Sequence, residues 1–233
     1  MTGNDPLPAA PIAGAAAFDA AHARAYAEGL PRQVPGLAGL HRMTSLLLAE
    51  RVPAGGRVLV LGAGGGLEIK ALADDHAGWT FDGIDPSAEM LRTAAQITGQ
   101  HSARVRLHQG YIDAAPEGPF DGAVCLLTLH FVPRDQRRET LRQIRRRLVP
   151  GAPFAVAHIS FSQSEPERSL WIGRHVAFGG TAPANVEAAK QAIATKLSVL
   201  SPEEDEAMLS DAGFSGVSLF YAGLIFRGWA AYA

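Results

Sequence analysis

The sequence predicts an α/β fold: a mostly parallel, seven-stranded sheet with helices on both faces and an antiparallel hairpin at its C-terminal end. Three observations lead there. Short apolar runs alternate with helical-period segments from Arg57 to Ile159, which is the pattern of a parallel sheet covered on both sides. A glycine cluster, Gly62-Ala63-Gly64-Gly65-Gly66, falls between the first apolar run and the helical segment after it. Two final apolar runs, Val217 to Tyr221 and Leu224 to Tyr232, are joined by Ala222-Gly223 and read as a hairpin on an otherwise parallel sheet.

The elements follow in order. Residues 1–14, rich in Pro, Ala and Gly, read as a flexible tail. A helix from Ala15 to Gly29 places Phe18, Ala21, His22, Ala25 and Tyr26 on one face, and a second, about Leu37 to Arg51, carries Leu40, Met43, Leu47 and Leu48 at helical spacing. Together these make an N-terminal helical lid over residues 15–52, ahead of a ligand-binding domain at 53–233. Its first strand ends at Leu61, bounded by glycine. A helix at Leu67 to Asp75, a strand at Trp79 to Ile84, a helix at Ser87 to Thr98 and a strand at Arg104 to His108 come next. A strand at Gly122 to Thr128, a helix at Arg134 to Leu148 and a strand at Pro153 to Ile159 complete the alternation. Residues 165–199 read as a helical insertion. Ser201 and Glu204 form a capping box for a last helix that Gly213 closes.

Composition narrows the function. A formal charge of -2 and a pI near 6.4 give no overall basic field. Arg137, Arg138, Arg142 and the run Arg145 to Arg147 share a helix with an apolar stripe of Leu141, Ile144 and Leu148, so they read as a solvated face and nucleic acid is not the expected partner. The single cysteine, Cys125, excludes an internal disulfide framework and fits a cytoplasmic protein. No window approaches the roughly 18 apolar residues of a membrane span, and no metal site is expected.

The glycine cluster carries the functional reading. In open α/β sheets a ligand sits at the carboxyl ends of the strands where the winding reverses, and the loop after the first strand is that place. Glycine lets the backbone turn sharply and approach a ligand, and the following helix offers free N–H groups. A dinucleotide fingerprint would require glycine at position 67, where Leu67 stands. The spacing is G-x-G-x-G, with Asp85 about 20 residues on at the end of FDGID, where a carboxylate can accept hydrogen bonds from a ribose.

Compact glycine spacing with that acidic partner resembles the first motifs of the class I S-adenosylmethionine (SAM) dependent methyltransferases, a Rossmann-like family. FDGAVCLLTLHFV is similar to the family's fourth motif and RRLVPGAPFAVA to its L-x-P-G-G segment, with Ala152 in place of the second glycine. The resemblance covers about residues 55–160. It implies SAM as cofactor, held by Gly62, Ala63, Gly64 and Gly66 of the loop, by Asp85 and Pro86, by Gly110, Tyr111 and Ile112 beside the adenine, and by Leu126 and Leu127 under the sulfonium. The family often has an acidic residue where this chain has Val60; Glu68 is the candidate substitute, or else serves only the helix terminus.

ARAYAEGLPRQVPGL and DAGFSGVSLFYAGLIFRGWAAY resemble the N-terminal lid and the ending of the group that contains carboxy-SAM synthase. That likeness implies cofactor contacts for Tyr26 and Arg32. The insertion, with WIGRHVAFGG, lacks the group's N-G-Y-S-type helix and its arginine-tyrosine pair, so ordinary SAM and a small-molecule acceptor are expected. His130 and His158 follow strands at the ligand-facing edge and are the candidate general bases. Trp171, Arg174, His175 and Phe178 are candidates for a substrate pocket. A SAM-binding regulatory partner without activity, a carboxy-SAM-related enzyme of tRNA modification and a nicotinamide-dependent oxidoreductase are the competing readings. A homodimer stays open.

Overall fold

The computed structural model describes residues 29–233. The expected N-terminal tail and most of the first helix, Tyr26 included, lie outside the described residues. Seven strands form a single sheet: β1 (Arg57–Leu61), β2 (Thr80–Asp85), β3 (Val105–Gln109), β4 (Gly122–Leu126), β5 (Pro153–Ile159), β6 (Ser215–Gly223) and β7 (Phe226–Tyr232). Their order is β3-β2-β1-β4-β5-β7-β6. Strands β1 to β5 pair in parallel, whereas β7 runs antiparallel between β5 and β6. The winding therefore reverses between β1 and β4, which puts the crevice for a ligand beside the β1 loop.

The helices are α1 (Leu37–Ala49), α2 (Leu67–Asp75), α3 (Ala88–Ile97), α4 (Arg134–Arg146), α5 (Glu167–Phe178), α6 (Val186–Lys196) and α7 (Pro202–Asp211). Side chains alternate across each strand, so two cores form. Val58, Val60, Val124, Leu126, Ala155 and Ala157 face one, with Leu40 and Leu48 of α1 and Ile69 and Leu72 of α2. Leu59, Leu61, Ala123, Cys125, Phe154 and Val156 face the other, with Leu141 and Ile144 of α4 and Met208 and Leu209 of α7. Helix α1 packs on β4, β5 and α2, which makes it a layer of the sandwich.

Local chemistry sets the boundaries. Ser87 caps α3 by accepting from the Met90 N–H at 3.3 Å, and Ser201 and Glu204 form the capping box at α7. Gly213, at φ +96°, follows the C-cap Ala212 in the left-handed conformation that ends a helix. The hairpin turn differs from expectation. It falls at Leu224-Ile225, with Leu224 at φ +52°, because β6 continues through Ala222 and Gly223 to pair with Arg227 and Phe226.

The solvated arginine face expected on α4 needs a larger correction. Arg137 and Arg147 are 0% and 1% exposed. Arg137 Nη1 donates to Asp205 Oδ1 at 3.0 Å and its Nη2 to the Ser198 carbonyl. Arg147 donates to the carbonyls of Pro116 and Gln143. Arg138 and Arg146 do stay exposed. The two buried arginines clamp α4 to segments distant in sequence, as guanidinium forks suit buried carboxylates and carbonyls.

Candidate active site

The loop after β1 is built from three left-handed glycines, Gly62 (φ +78°), Gly64 (φ +49°) and Gly66 (φ +82°). Gly62 and Ala63 both donate N–H to the Ile84 carbonyl, at 2.8 and 2.9 Å, which ties the loop to the end of β2. A Cβ at Gly62 would lie 1.9 Å from Thr128 Oγ1 and 2.7 Å from its Cβ, and one at Gly66 would lie 2.9 Å from the Ala94 backbone. At Gly64 a Cβ would meet Met90 Cε at 3.5 Å and the Gly62 carbonyl oxygen at 3.7 Å, both ordinary contacts, so this glycine has room around it. The Gly62→Ala variant combines a disfavoured φ with a clash against the Thr128 side chain, and is expected to lose roughly 1–3 kcal/mol, read as a lower denaturant midpoint.

A cleft of about 1130 Å³, its open mouth included, occupies the reversal point. Gly62, Gly64 and Gly65 form its floor and Leu67 and Glu68 of α2 one wall. Ile84, Asp85, Pro86, Ser87 and Met90 come from β2 and α3, and Gly110, Tyr111 and Ile112 from the loop after β3. Leu126 ends β4 and Leu127 and Thr128 follow it, and Leu30 and His41 close the N-terminal side.

Asp85 is held where two loops meet. Its Oδ2 accepts from the Gly64 N–H and its Oδ1 from the Ser87 N–H, both at 2.9 Å. Burial raises its pKa, opposed by those two bonds. Glu68, 9% exposed, is pushed up to about 8, first by burial and further by the Asp85 charge, against a bond from its own backbone N–H. His41 is pushed down to about 4 by burial. Leu127 carries φ +57° at the cleft wall, pinned by its N–H to the Ala157 carbonyl, and such strain in a non-glycine residue gathers at ligand sites.

Ten residues expected to bind a cofactor converge here: Gly62, Gly64, Glu68, Asp85, Pro86, Gly110, Tyr111, Ile112, Leu126 and Leu127. Ala63 and Gly66 shape the loop from behind: Ala63 is fully buried, and Gly66 caps α2 against Ala94. Arg32 is exposed and outside the lining, although its neighbour Leu30 belongs to it. His41, Ser87, Met90 and Thr128 were missed. The helical spacing of α1 could have flagged His41, one residue after Leu40, as bordering the buried stripe.

The two histidines are not placed as bases in this cleft. His158 is 1% exposed, with Nε2 at 3.1 Å from Asp205 Oδ2 and its ring 5.5 Å from that of Trp229. It joins the buried Arg137–Asp205 pair and latches β5 to α7. His130 borders a second cavity. Its Nδ1 accepts the Ile159 N–H at 3.3 Å, which assigns the proton of the neutral ring to Nε2 and makes His130 a donor rather than a base. Burial first, then the charges of His158, Arg137 and His175, hold its pKa well below the ordinary value. Of the expected substrate pocket, His175 borders the second cavity. Arg174 is exposed and stacks on Trp171 at 4.7 Å, Phe178 is 48% exposed, and neither Trp171 nor Arg174 lines a cavity described here.

A parallel sheet reversing between β1 and β4, an antiparallel β7, a G-x-G-x-G loop and an acid ending β2 define the class I SAM-dependent methyltransferase fold. Residues 59–154 match the family model described as methyltransferase domain. Among curated relatives, it is 24% identical over 222 residues to a carboxy-SAM synthase of Chromohalobacter salexigens, covering 92% of this chain and 82% of that protein. It is 29% identical over 213 residues to a carboxy-SAM synthase of Pseudomonas fluorescens, covering 86% of each. An O-methyltransferase family protein of Burkholderia thailandensis superposes with a TM-score of 0.68 at 14% identity, over 93% of this chain and 60% of that one. Phosphoethanolamine N-methyltransferase 2 of Haemonchus contortus, bound to S-adenosylhomocysteine, superposes with a TM-score of 0.68 at 13% identity, over 92% of this chain and 57% of that one. The chain thus spans less than two thirds of those solved chains. No helix among the described residues is long and apolar enough to cross a membrane.

Proposed function

We propose that the protein transfers a methyl group from SAM to a small-molecule acceptor. The carrying observation is the Asp85 carboxylate, fixed by two backbone N–H groups in a cleft lined mainly by glycine backbone and apolar side chains, with Glu68, His41, Ser87 and Thr128 among its few polar groups. Those residues fit the cofactor. Both Asp85 oxygens keep lone pairs for ribose hydroxyls, Tyr111 and Ile112 lie where an adenine would be covered, and Gly64 leaves room for close backbone approach. Leu126 and Leu127 keep water from the sulfonium end, and Glu68 is the acid for the methionine ammonium that the Val60 position does not supply. When bound, SAM supplies a methyl group already activated on sulfur. The chain's task is then alignment and exclusion of water.

Calorimetry with SAM and S-adenosylhomocysteine, followed by transfer of labelled methyl to a panel of acceptors, tests this reading. Absence of binding by either nucleoside overturns it. Asp85→Asn removes the ionic acceptor and is expected to weaken S-adenosylhomocysteine by roughly 1.5–3 kcal/mol, about 10- to 150-fold.

One observation favours a second reading, a carboxy-SAM-related activity: the curated relatives cited are named carboxy-SAM synthases and match this chain over 82–86% of their length. An added carboxylate beside the methyl carbon calls for a cation, and neither Arg nor Lys lines the cleft among the described residues. Mass spectrometry of the ligand retained through purification separates the two.

A further inference from the structure

The second cavity, about 930 Å³ with its mouth, adjoins the cofactor cleft and shares Leu30, Leu127 and Phe131 with it as a common wall. The rest of its lining comes from Gln33 and Val34 ahead of α1, from His130 after β4, from the end of β5, from the helical insertion and from Phe226. No Asp, Glu, Lys or Arg is among the described residues that line it; the polar side chains are Gln33, His130, His175 and Thr181. His175 Nδ1 is buried with no hydrogen-bond partner, and the ring meets Phe226 edge-on at 5.4 Å. A buried polar atom left unpaired costs about 1–3 kcal/mol, so a ligand that pairs with it recovers that cost. Burial lowers the pKa of His175, and His130 is held neutral as well, so neither ring offers a charge.

We propose that this cavity is the acceptor site and takes an uncharged, largely apolar small molecule with a hydroxyl-type polar handle held by His130 and His175, an assignment that rests on the methyltransferase reading above. His130 Nε2–H donates to the handle's oxygen. His175 Nδ1, buried in the ligand-free protein, turns toward the handle as the ring rotates and, in the tautomer that leaves it unprotonated, accepts the handle's hydrogen, so the two rings orient one oxygen. The apolar walls take the remainder of the molecule. A carboxylate or phosphate would be desolvated here with no cation to meet it, which costs far more than burying a neutral hydroxyl. The site thereby differs in chemistry from one built for a phosphorylated acceptor such as that named for the Haemonchus contortus enzyme.

The test uses three probes on one skeleton, 1-naphthol, 1-naphthoate and 1-naphthyl phosphate, titrated into the full-length protein by calorimetry with and without S-adenosylhomocysteine. Saturable naphthol binding is expected, with both anions at least tenfold weaker. Ala192→Phe, which fills the cavity, and His175→Phe, which removes the acceptor nitrogen, are each expected to weaken naphthol about tenfold, while His175→Asn retains part of the affinity. Circular dichroism checks the fold of each variant. No naphthol binding, anions bound as tightly as naphthol, or naphthol affinity unchanged in both variants overturns the assignment. Failure of S-adenosylhomocysteine to bind instead overturns the methyltransferase reading, and the titration without it still judges the cavity.

Discussion

Asp205→Ala is expected to destabilise the fold by about 3–5 kcal/mol, the cost of breaking a buried ion pair by removing one partner, against a total stability of roughly 5–15 kcal/mol for a domain. Asp205 is 2% exposed and stands between Arg137 and His158, themselves 0% and 1% exposed. Without the carboxylate the guanidinium keeps the carbonyls of Ser198 and Val132 but has no counter-charge, and the imidazole loses its 3.1 Å neighbour. The cluster also joins three elements from its buried centre: α4 supplies Arg137, β5 His158 and α7 Asp205. Burial alone would raise the pKa of Asp205, but His158 and Arg137 outweigh it, so the net shift is downward. The sign follows. A depressed carboxyl contributes stability that is full above its unfolded pKa and is lost as pH falls through the folded value. Acid denaturation of the wild type should therefore include a step that Asp205→Ala lacks. Urea unfolding at pH 7 checks the magnitude, and a loss under 1 kcal/mol would show that the cluster contributes little.

The same cluster shows what sequence periodicity can and cannot reveal. Strand alternation was legible, because Val58 and Val60 against Leu59 and Leu61 already follow period two, and both sets are buried in opposite cores. That parity also bears on His158. It shares the β5 face of Phe154 and Val156, the side covered by α4 and α7, so its position at the end of a strand was a weaker signal than its parity. Arg137 and Arg147 were not legible. On a helical wheel they sit among other arginines, and their partners lie far along the chain, Asp205 for one and the Ala115–Pro116 carbonyls for the other. Only tertiary packing separates these two from Arg138 and Arg146. The glycine loop lay at the opposite extreme. Its positive-φ requirement is local, and Gly62, Gly64 and Gly66 sit where G-x-G-x-G spacing placed them. The acceptor side was least legible, since the second cavity gathers Gln33, His130, His175 and Phe226 from four separated segments.

Binding of SAM should release a proton near neutral pH, and Glu68 should be its source. In the free protein Glu68 is pushed up to about 8, so at pH 7 most molecules carry a protonated, neutral carboxyl there. A neutral carboxyl gains nothing from the helix terminus it sits on, which leaves the cleft as the reason for an acid in this apolar wall. The Val60 side chain belongs to the core and is fully buried, so it offers the methionine end no charge. An ammonium placed beside Glu68 favours its ionised form and lowers its pKa. The sign is then fixed: below pH 8 binding must expel the proton, so affinity rises with pH, by at most tenfold per unit, and levels off near 8. Calorimetry in phosphate and in Tris at pH 6 to 7.5 reads the released proton directly from the buffer-dependent enthalpy. Glu68→Gln is expected to abolish that release and to weaken SAM by about 2–5 kcal/mol where the wild-type acid is ionised, as for a truncated buried charge pair. An unchanged proton release in the variant would assign the linkage to another group, with Asp85 next in line because burial raises its pKa as well.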